Sequence, residues 1–279
     1  MSQFFEAMAR SERERTTKVL PHKLHVLPDP SPASAEVVPE TTGNRFELRQ
    51  VPAEKVDVTS ASHIALHADR NIVWDDRLRY LRMRLKVLWN LGKLRSLLIT
   101  SPLPQDGKST VALSLATTLA EGGKCTVLLI EADLYCPSIA KQLGLEAWPG
   151  LAECLEGKLK PLSALRRIEP LGWYLLQAGQ PIRVAADLFH SDALSLLMNE
   201  LSPHFDWILI DAPPVIPLTD SLLLAAHVNA TLLVVRESRT PRESIEETIS
   251  LLGKERVLGI VLNGAERLDR KYAGYKAYK

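Results

Sequence analysis

The stretch "TSPLPQDGKSTVALSLATTLAEGG", residues 100–123, limits what this chain can fold into more than any other. The apolar run "LLIT" enters a loop, and "VALSLATTLA" then reads as an amphipathic helix closed by Gly122 and Gly123. A strand, a loop carrying Gly107-Lys108-Ser109-Thr110 and a helix form the context in which a phosphate is held. In that context the backbone N–H groups of the loop and of the helix N-terminus face the anion. Lys108 reaches the terminal phosphates, and the Ser109 hydroxyl can ligate Mg²⁺. The usual pattern has a glycine five residues before Gly107, where this chain has Pro102. The triplet alone also arises by chance, so its meaning depends on the segments downstream in the chain.

Two further apolar runs end in carboxylates. "VLLIEADLYCP" delivers Glu131 and Asp133, and "WILIDAPP" delivers Asp211. Strands are expected at 96–100, 126–131, 173–176, 207–211, 231–235 and 257–263, nearly continuous in apolar residues, as in strands buried on both faces. Segments 110–121, 185–201 and 242–252 are long enough for crossover helices. The alternation predicts an α/β fold, a mostly parallel sheet sandwiched by helices, and the phosphate-loop motif makes it P-loop NTPase-like. Ligands of such sheets bind at the carboxyl ends of the strands, where all three motifs fall. Asp211 there holds Mg²⁺, most simply through water, or else caps its strand.

The flanks read differently. Six of the 18 prolines precede Ala53, and "LPDPSPASAEVVPETTGN" lacks apolar periodicity. A disordered extension is expected over 1–55, with a short helix at 2–15, then a domain over 56–266 and a flexible tyrosine-containing tail over 267–279. Trp74, Leu78, Leu81, Leu85 and Leu88 recur at helical spacing with arginines between them. The net charge of +1 gives no electrostatic case for nucleic acid or a membrane surface as partner. Cys125, Cys136 and Cys154 lack metal-ligand spacing and read as reduced thiols used as small apolar residues. No apolar run approaches the roughly 20 residues that span a bilayer, and the first residues are charged, so a cytoplasmic chain is expected.

From about Ser60 onward the chain resembles the bacterial tyrosine kinases of capsular and exopolysaccharide synthesis, relatives of the MinD/ParA-type ATPases. That family carries "SPxPGEGKST", "LLIDADLRRP" and "IIIDTPP"; this chain reads "SPLPQDGKST", "LLIEADLYCP" and "ILIDAPP". It shares "PGLAECLEG" and "RESRTPRESIEE" as well. Prolines at 102 and 104 are normal for the family's loop, which accounts for the missing first glycine. Gln105 stands where the family has glycine, Glu131 replaces an aspartate and Tyr135 an arginine. Leu103 stands where MinD/ParA proteins carry a lysine, which weighs against that branch.

The resemblance implies ATP and Mg²⁺ as cofactors. It assigns catalytic roles to Lys108, Glu131 (the base), Asp133 and Asp211, and a metal site to Ser109, Asp133 and Asp211. Nucleotide contacts fall to Pro104, Gln105, Asp106, Gly107, Lys108, Ser109 and Thr110. Asn263 either reads adenine, as in related ATPases, or is a turn asparagine. Asp76, Arg79 and Arg82 resemble the family's subunit-contact motif and share one helical face, which a merely solvated charged face also does. Tyr272, Tyr275 and Tyr278 in "KYAGYKAYK" resemble its autophosphorylated tail.

The implied function is an ATP-dependent protein-tyrosine autokinase that regulates polysaccharide polymerisation and export. It would act as a homo-oligomer such as a ring, recruited to the inner face of the membrane by a separate membrane-embedded co-polymerase. The alternatives are a non-phosphorylating ATP-binding subunit of the export machinery and a MinD/ParA-like ATPase.

Overall fold

A computed structural model of the chain describes residues 48–57, 72–180, 186–189 and 192–265. The helix expected at 2–15 and the tail tyrosines Tyr272, Tyr275 and Tyr278 lie outside the described residues.

Among the described residues, eight strands form one sheet: β1 (Ala53–Lys55), β2 (Ser96–Thr100), β3 (Val127–Glu131), β4 (Arg166–Glu169), β5 (Trp173–Leu176), β6 (Trp207–Asp211), β7 (Ala230–Arg236) and β8 (Val257–Asn263). Their order across the sheet is β1-β4-β5-β3-β6-β2-β7-β8. Every pairing is parallel except the β4–β5 hairpin. The sheet is therefore mostly parallel, of the P-loop NTPase type.

The helices long enough to cover it are α1 (Ile72–Asn90), α2 (Lys108–Ala120), α7 (Asp192–Leu201) and α9 (Arg242–Leu252). Shorter turns are α3 (Ile139–Gln142), α4 (Leu151–Leu155), α5 (Pro161–Ala164), α6 (Ala186–Phe189) and α8 (Asp220–Ala225). Each face of the sheet carries its own apolar core. On one face Leu85 of α1 and Val111, Leu115 and Leu119 of α2 pack with Leu97, Ile99, Leu129 and Trp207. On the other, Leu151, Phe189, Leu194 and Leu197 pack with Leu98, Leu128, Ile130 and Ile210. The indoles in the first core are tethered. Trp173 Nε1 donates to Thr117 Oγ1 at 3.0 Å, and Trp89 Nε1 donates to Asp206 O at 2.9 Å.

The structure departs from the sequence expectation at the edges. The folded unit begins before residue 56: Leu48 is buried in the second core, and β1 pairs with β4. Apolar patterning missed both strands because "AEK" and "RRIE" are polar. β1 is the outermost strand and β4 the next one in, and strands this short at the sheet's margin need no continuous apolar run. Within the segment expected as a helix over 185–201, Ala186–Phe189 and Asp192–Leu201 are helical, and residues 185, 190 and 191 lie outside the described residues.

β8 is not buried on both faces. Leu258, Ile260 and Leu262 point to an uncovered side at 39%, 51% and 52% exposure, as the sheet's outermost strand allows. The cysteines also differ among themselves. Cys154 is buried, with its thiol pushed up to about 12 by burial, whereas Cys136 is exposed and is not a core residue.

Candidate active site

Three neighbouring strands, β3, β6 and β2, end at one edge. Register sets Glu131 opposite Asp211, and Asp211 opposite Ile99, one residue before the phosphate loop begins to leave β2. The β6 exit then ties down the loop's start. Val215 N donates to Ser101 O at 2.9 Å, and Thr100 Oγ1 donates to Pro213 O at 2.6 Å. The prolines of "DAPPV" are tolerated here because each leaves a carbonyl free to accept while donating nothing.

The loop turns into α2 at Gly107, whose φ of 94° is left-handed. A Cβ there would lie 2.0 Å from Asn263 Nδ2, so no side chain fits. Asp106 is fully buried and holds the loop's shape. It accepts from Leu103 N at 3.2 Å and from Thr240 Oγ1 at 2.8 Å.

Lys108, Ser109, Asp133 and Asp211 come together as the sequence predicts. Lys108 Nζ donates to Asp133 Oδ2 at 3.0 Å, with both side chains largely buried. Asp133 Oδ1 accepts from Cys136 N at 3.0 Å. Burial works to lower the Lys108 pKa, but Asp211, Asp133 and Glu131 outweigh it and hold the ammonium above its usual value. Asp211 is 1% exposed, and neither carboxylate oxygen has a hydrogen-bond partner among the described residues. Burial pushes its pKa up, while Lys108 and Ser109 beside it pull the other way. A buried carboxylate with no hydrogen bond of ordinary length, although Lys108 and Ser109 lie close enough to lower its pKa, suits a hard divalent cation and its waters. Ser109, Asp133 and Asp211 thus fit Mg²⁺, and the loop that Gly107 opens fits a phosphate.

Glu131 lies in the same field, but its oxygens are taken by backbone donors. Its Oε1 accepts from Ser138 N and Ile139 N, both at 2.6 Å, and its Oε2 accepts from Ala178 N at 3.3 Å. The longer arm reaches past the position an aspartate would hold and caps α3. Burial raises its pKa against these three bonds. In the unliganded chain this carboxylate acts as a structural brace. Glu131→Ala should therefore leave three backbone donors without an acceptor and cost about 3 kcal/mol or more of stability. Phosphoryl transfer per folded molecule should persist. Thermal melting and initial rates on the folded fraction check both halves.

Asn263 is 8% exposed, and its Nδ2 donates to Asp106 O at 2.9 Å, so in the unliganded chain the amide braces the phosphate loop. Arg82 is engaged within the chain, its Nη1 lying 3.1 Å from Glu121 Oε1, while Arg79 is exposed. Asp76 falls within α1, but its side chain lies outside what is described. Sequence reasoning missed Arg239 and Thr240, which reach Gln105 and Asp106 from the segment after β7. The shared stretch "RESRTPRESIEE" was the signal for them.

Fold and site together define a P-loop nucleotide-binding protein. Residues 94–268 match the ParA family, described as NUBPL iron-transfer P-loop NTPase. Ptk of Acinetobacter johnsonii, a tyrosine-protein kinase, is 32% identical over 69% of this chain and 26% of its own length. YwqD of Bacillus subtilis, another tyrosine-protein kinase, is 30% identical over 67% of this chain and 79% of its own. Among solved structures, the BceF tyrosine kinase domain is 30% identical with a TM-score of 0.61, over 68% of this chain and 77% of that one. The chain belongs to the bacterial tyrosine-kinase family of ParA-type P-loop proteins. It spans about a quarter of the length of Ptk. Among the described residues, no helix is long and apolar enough to cross a membrane.

Proposed function

We propose that the chain is an ATP-dependent protein-tyrosine autokinase that regulates the polymerisation and export of an exopolysaccharide or capsule. The observation that carries this reading is the buried, unpartnered Asp211 carboxylate beside Lys108 and Ser109, in a chain with tyrosine-kinase relatives.

Mg²⁺ bound with ATP would neutralise charge on the β- and γ-phosphates. Ser109, Asp133 and Asp211 would hold it. Lys108 turns from Asp133 toward the terminal phosphates, where its raised pKa keeps it cationic through neutral pH. That turn frees Asp133 Oδ2 for the metal. Such transfer depends on position and charge more than on covalent chemistry, so few groups suffice.

The acceptors in this reading are Tyr272, Tyr275 and Tyr278. Asn263, which ends β8, bonds the phosphate loop, so the chain departs for its tail beside the site. In this reading Asp76, Arg79 and Arg82 of α1 meet a second copy; Arg79 is exposed, and Arg82 lies beside Glu121 of its own chain. A membrane-embedded co-polymerase as activating partner and a place at the inner membrane face complete the reading.

A second reading, an ATP-binding subunit that transfers nothing, is favoured by the capping role of Glu131 and the non-glycine at Gln105. Incubation of the purified chain with Mg-ATP separates the two. Phosphotyrosine on the protein is expected; nucleotide binding with neither phosphotyrosine nor turnover sinks the kinase reading, and ATP hydrolysis without phosphotyrosine supports a MinD/ParA-like ATPase.

A further inference from the structure

The segment between β7 and α9 grips the phosphate loop from outside. Three non-glycine residues among those described have left-handed backbone, and two of them flank one contact. Arg239 Nη2 donates to Gln105 Oε1 at 2.9 Å; Gln105 has φ 66°, and Ser238, next to Arg239, has φ 59°. The third, Glu121, closes α2 and pairs with Arg82.

Left-handed backbone is disfavoured for any residue with a Cβ and persists where its surroundings impose it. Each of three consecutive loop residues is held from this side. Arg239 takes Gln105, Thr240 takes the Asp106 carboxylate, and Asn263 takes the Asp106 carbonyl and fills the space beside Gly107. Thr240 and Asn263 act on residues that have glycine-like room or full burial. Arg239 acts on the one strained position, where the resembling kinases have glycine.

We propose that Arg239 is a positioning residue for the nucleotide, acting through Gln105. By holding the Gln105 amide it keeps the loop tip in the left-handed turn that a glycine adopts unaided. The next backbone N–H groups, from Asp106 to Ser109, then stay aimed at the phosphates. The nucleotide itself need not touch Arg239. This inference rests on the reading of the loop as a nucleotide site. It also couples two residues that look independent in sequence: a chain with Gln105 needs Arg239, and a chain with glycine there does not.

The test is calorimetry of Mg-ADP binding to wild type, Arg239→Ala, Arg239→Lys, Gln105→Gly and the double variant Gln105→Gly/Arg239→Ala. Arg239 is exposed, so the melting temperature of unliganded Arg239→Ala should match wild type. Arg239→Ala should weaken binding about tenfold or more, the size of one hydrogen bond lost by a charged donor. Arg239→Lys, with one donor still able to reach the amide, should recover part of the loss. In the Gln105→Gly background, removing Arg239 should change affinity less than about twofold. An unchanged affinity in Arg239→Ala overturns the proposal, and so does an equal loss in both backgrounds, which would mean direct contact with nucleotide. A wild type that binds no Mg-ADP removes the nucleotide reading and the proposal with it; binding without the background dependence removes the proposal alone.

Discussion

Lys108→Met is expected to weaken Mg-ATP binding about hundredfold, because it removes one partner of a buried charge pair and the cation that faces the terminal phosphates. The ammonium lies 3.0 Å from Asp133, in the field of Asp211 as well. Methionine preserves the volume of the stem but leaves two carboxylates facing the triphosphate without a counter-charge. Their repulsion adds to the lost attraction, so the effect should exceed that of any single uncharged loop residue. Calorimetry with and without Mg²⁺ reads it directly. Affinity in the variant equal to wild type would mean that the loop is not where the nucleotide binds.

Asp211→Asn should separate function from stability. The carboxylate is almost fully buried, has no hydrogen-bond partner among the described residues, and has a pKa raised chiefly by burial. A carboxyl whose pKa is higher folded than unfolded prefers the folded state in its protonated form. At neutral pH its ionised form therefore subtracts from stability. The loss sets in as pH rises past the unfolded pKa and is complete above the folded one. Asparagine removes the charge, so the unliganded variant should melt no lower than wild type. Phosphoryl transfer should fall roughly hundredfold or more, since the group meant for the metal is gone. A variant that melts well below wild type would show that Asp211 serves the fold; one that retains full activity would remove it from the site.

Much of this site could be read from sequence because burial on both faces forces nearly continuous apolar runs. β3 and β6 are wholly apolar up to their last residues, and the departures from apolarity at Glu131 and Asp211 mark the edge where ligands bind. The glycine at 107 announced the loop for a reason the structure makes concrete, the Asn263 amide filling the space beside it. The elements that sequence patterning missed have physical causes too. β1 and β4 are short and polar at the sheet's margin, where no apolar pattern is required.

Glu131 looks like half of an acidic pair, but one more methylene turns it toward the N–H groups of α3, a choice set by tertiary contacts far along the chain. Asn263 and Arg239 have partners about 130 to 160 residues away in sequence, beyond any local spacing rule. An Arg–Gln contact between two loops leaves no periodic trace.

The central claim, that the chain transfers phosphate from ATP to its own tyrosines, is tested most directly by mass spectrometry after incubation with Mg-ATP. Three proteins suffice: wild type, Asp211→Asn, and a variant with Tyr272, Tyr275 and Tyr278 all changed to phenylalanine. The account predicts phosphate on those three tyrosines in wild type and none on tyrosine in either variant. Wild-type levels of phosphotyrosine elsewhere in the triple variant would contradict the tail as acceptor, and no phosphotyrosine in a wild type that binds Mg-ATP would contradict the kinase reading itself.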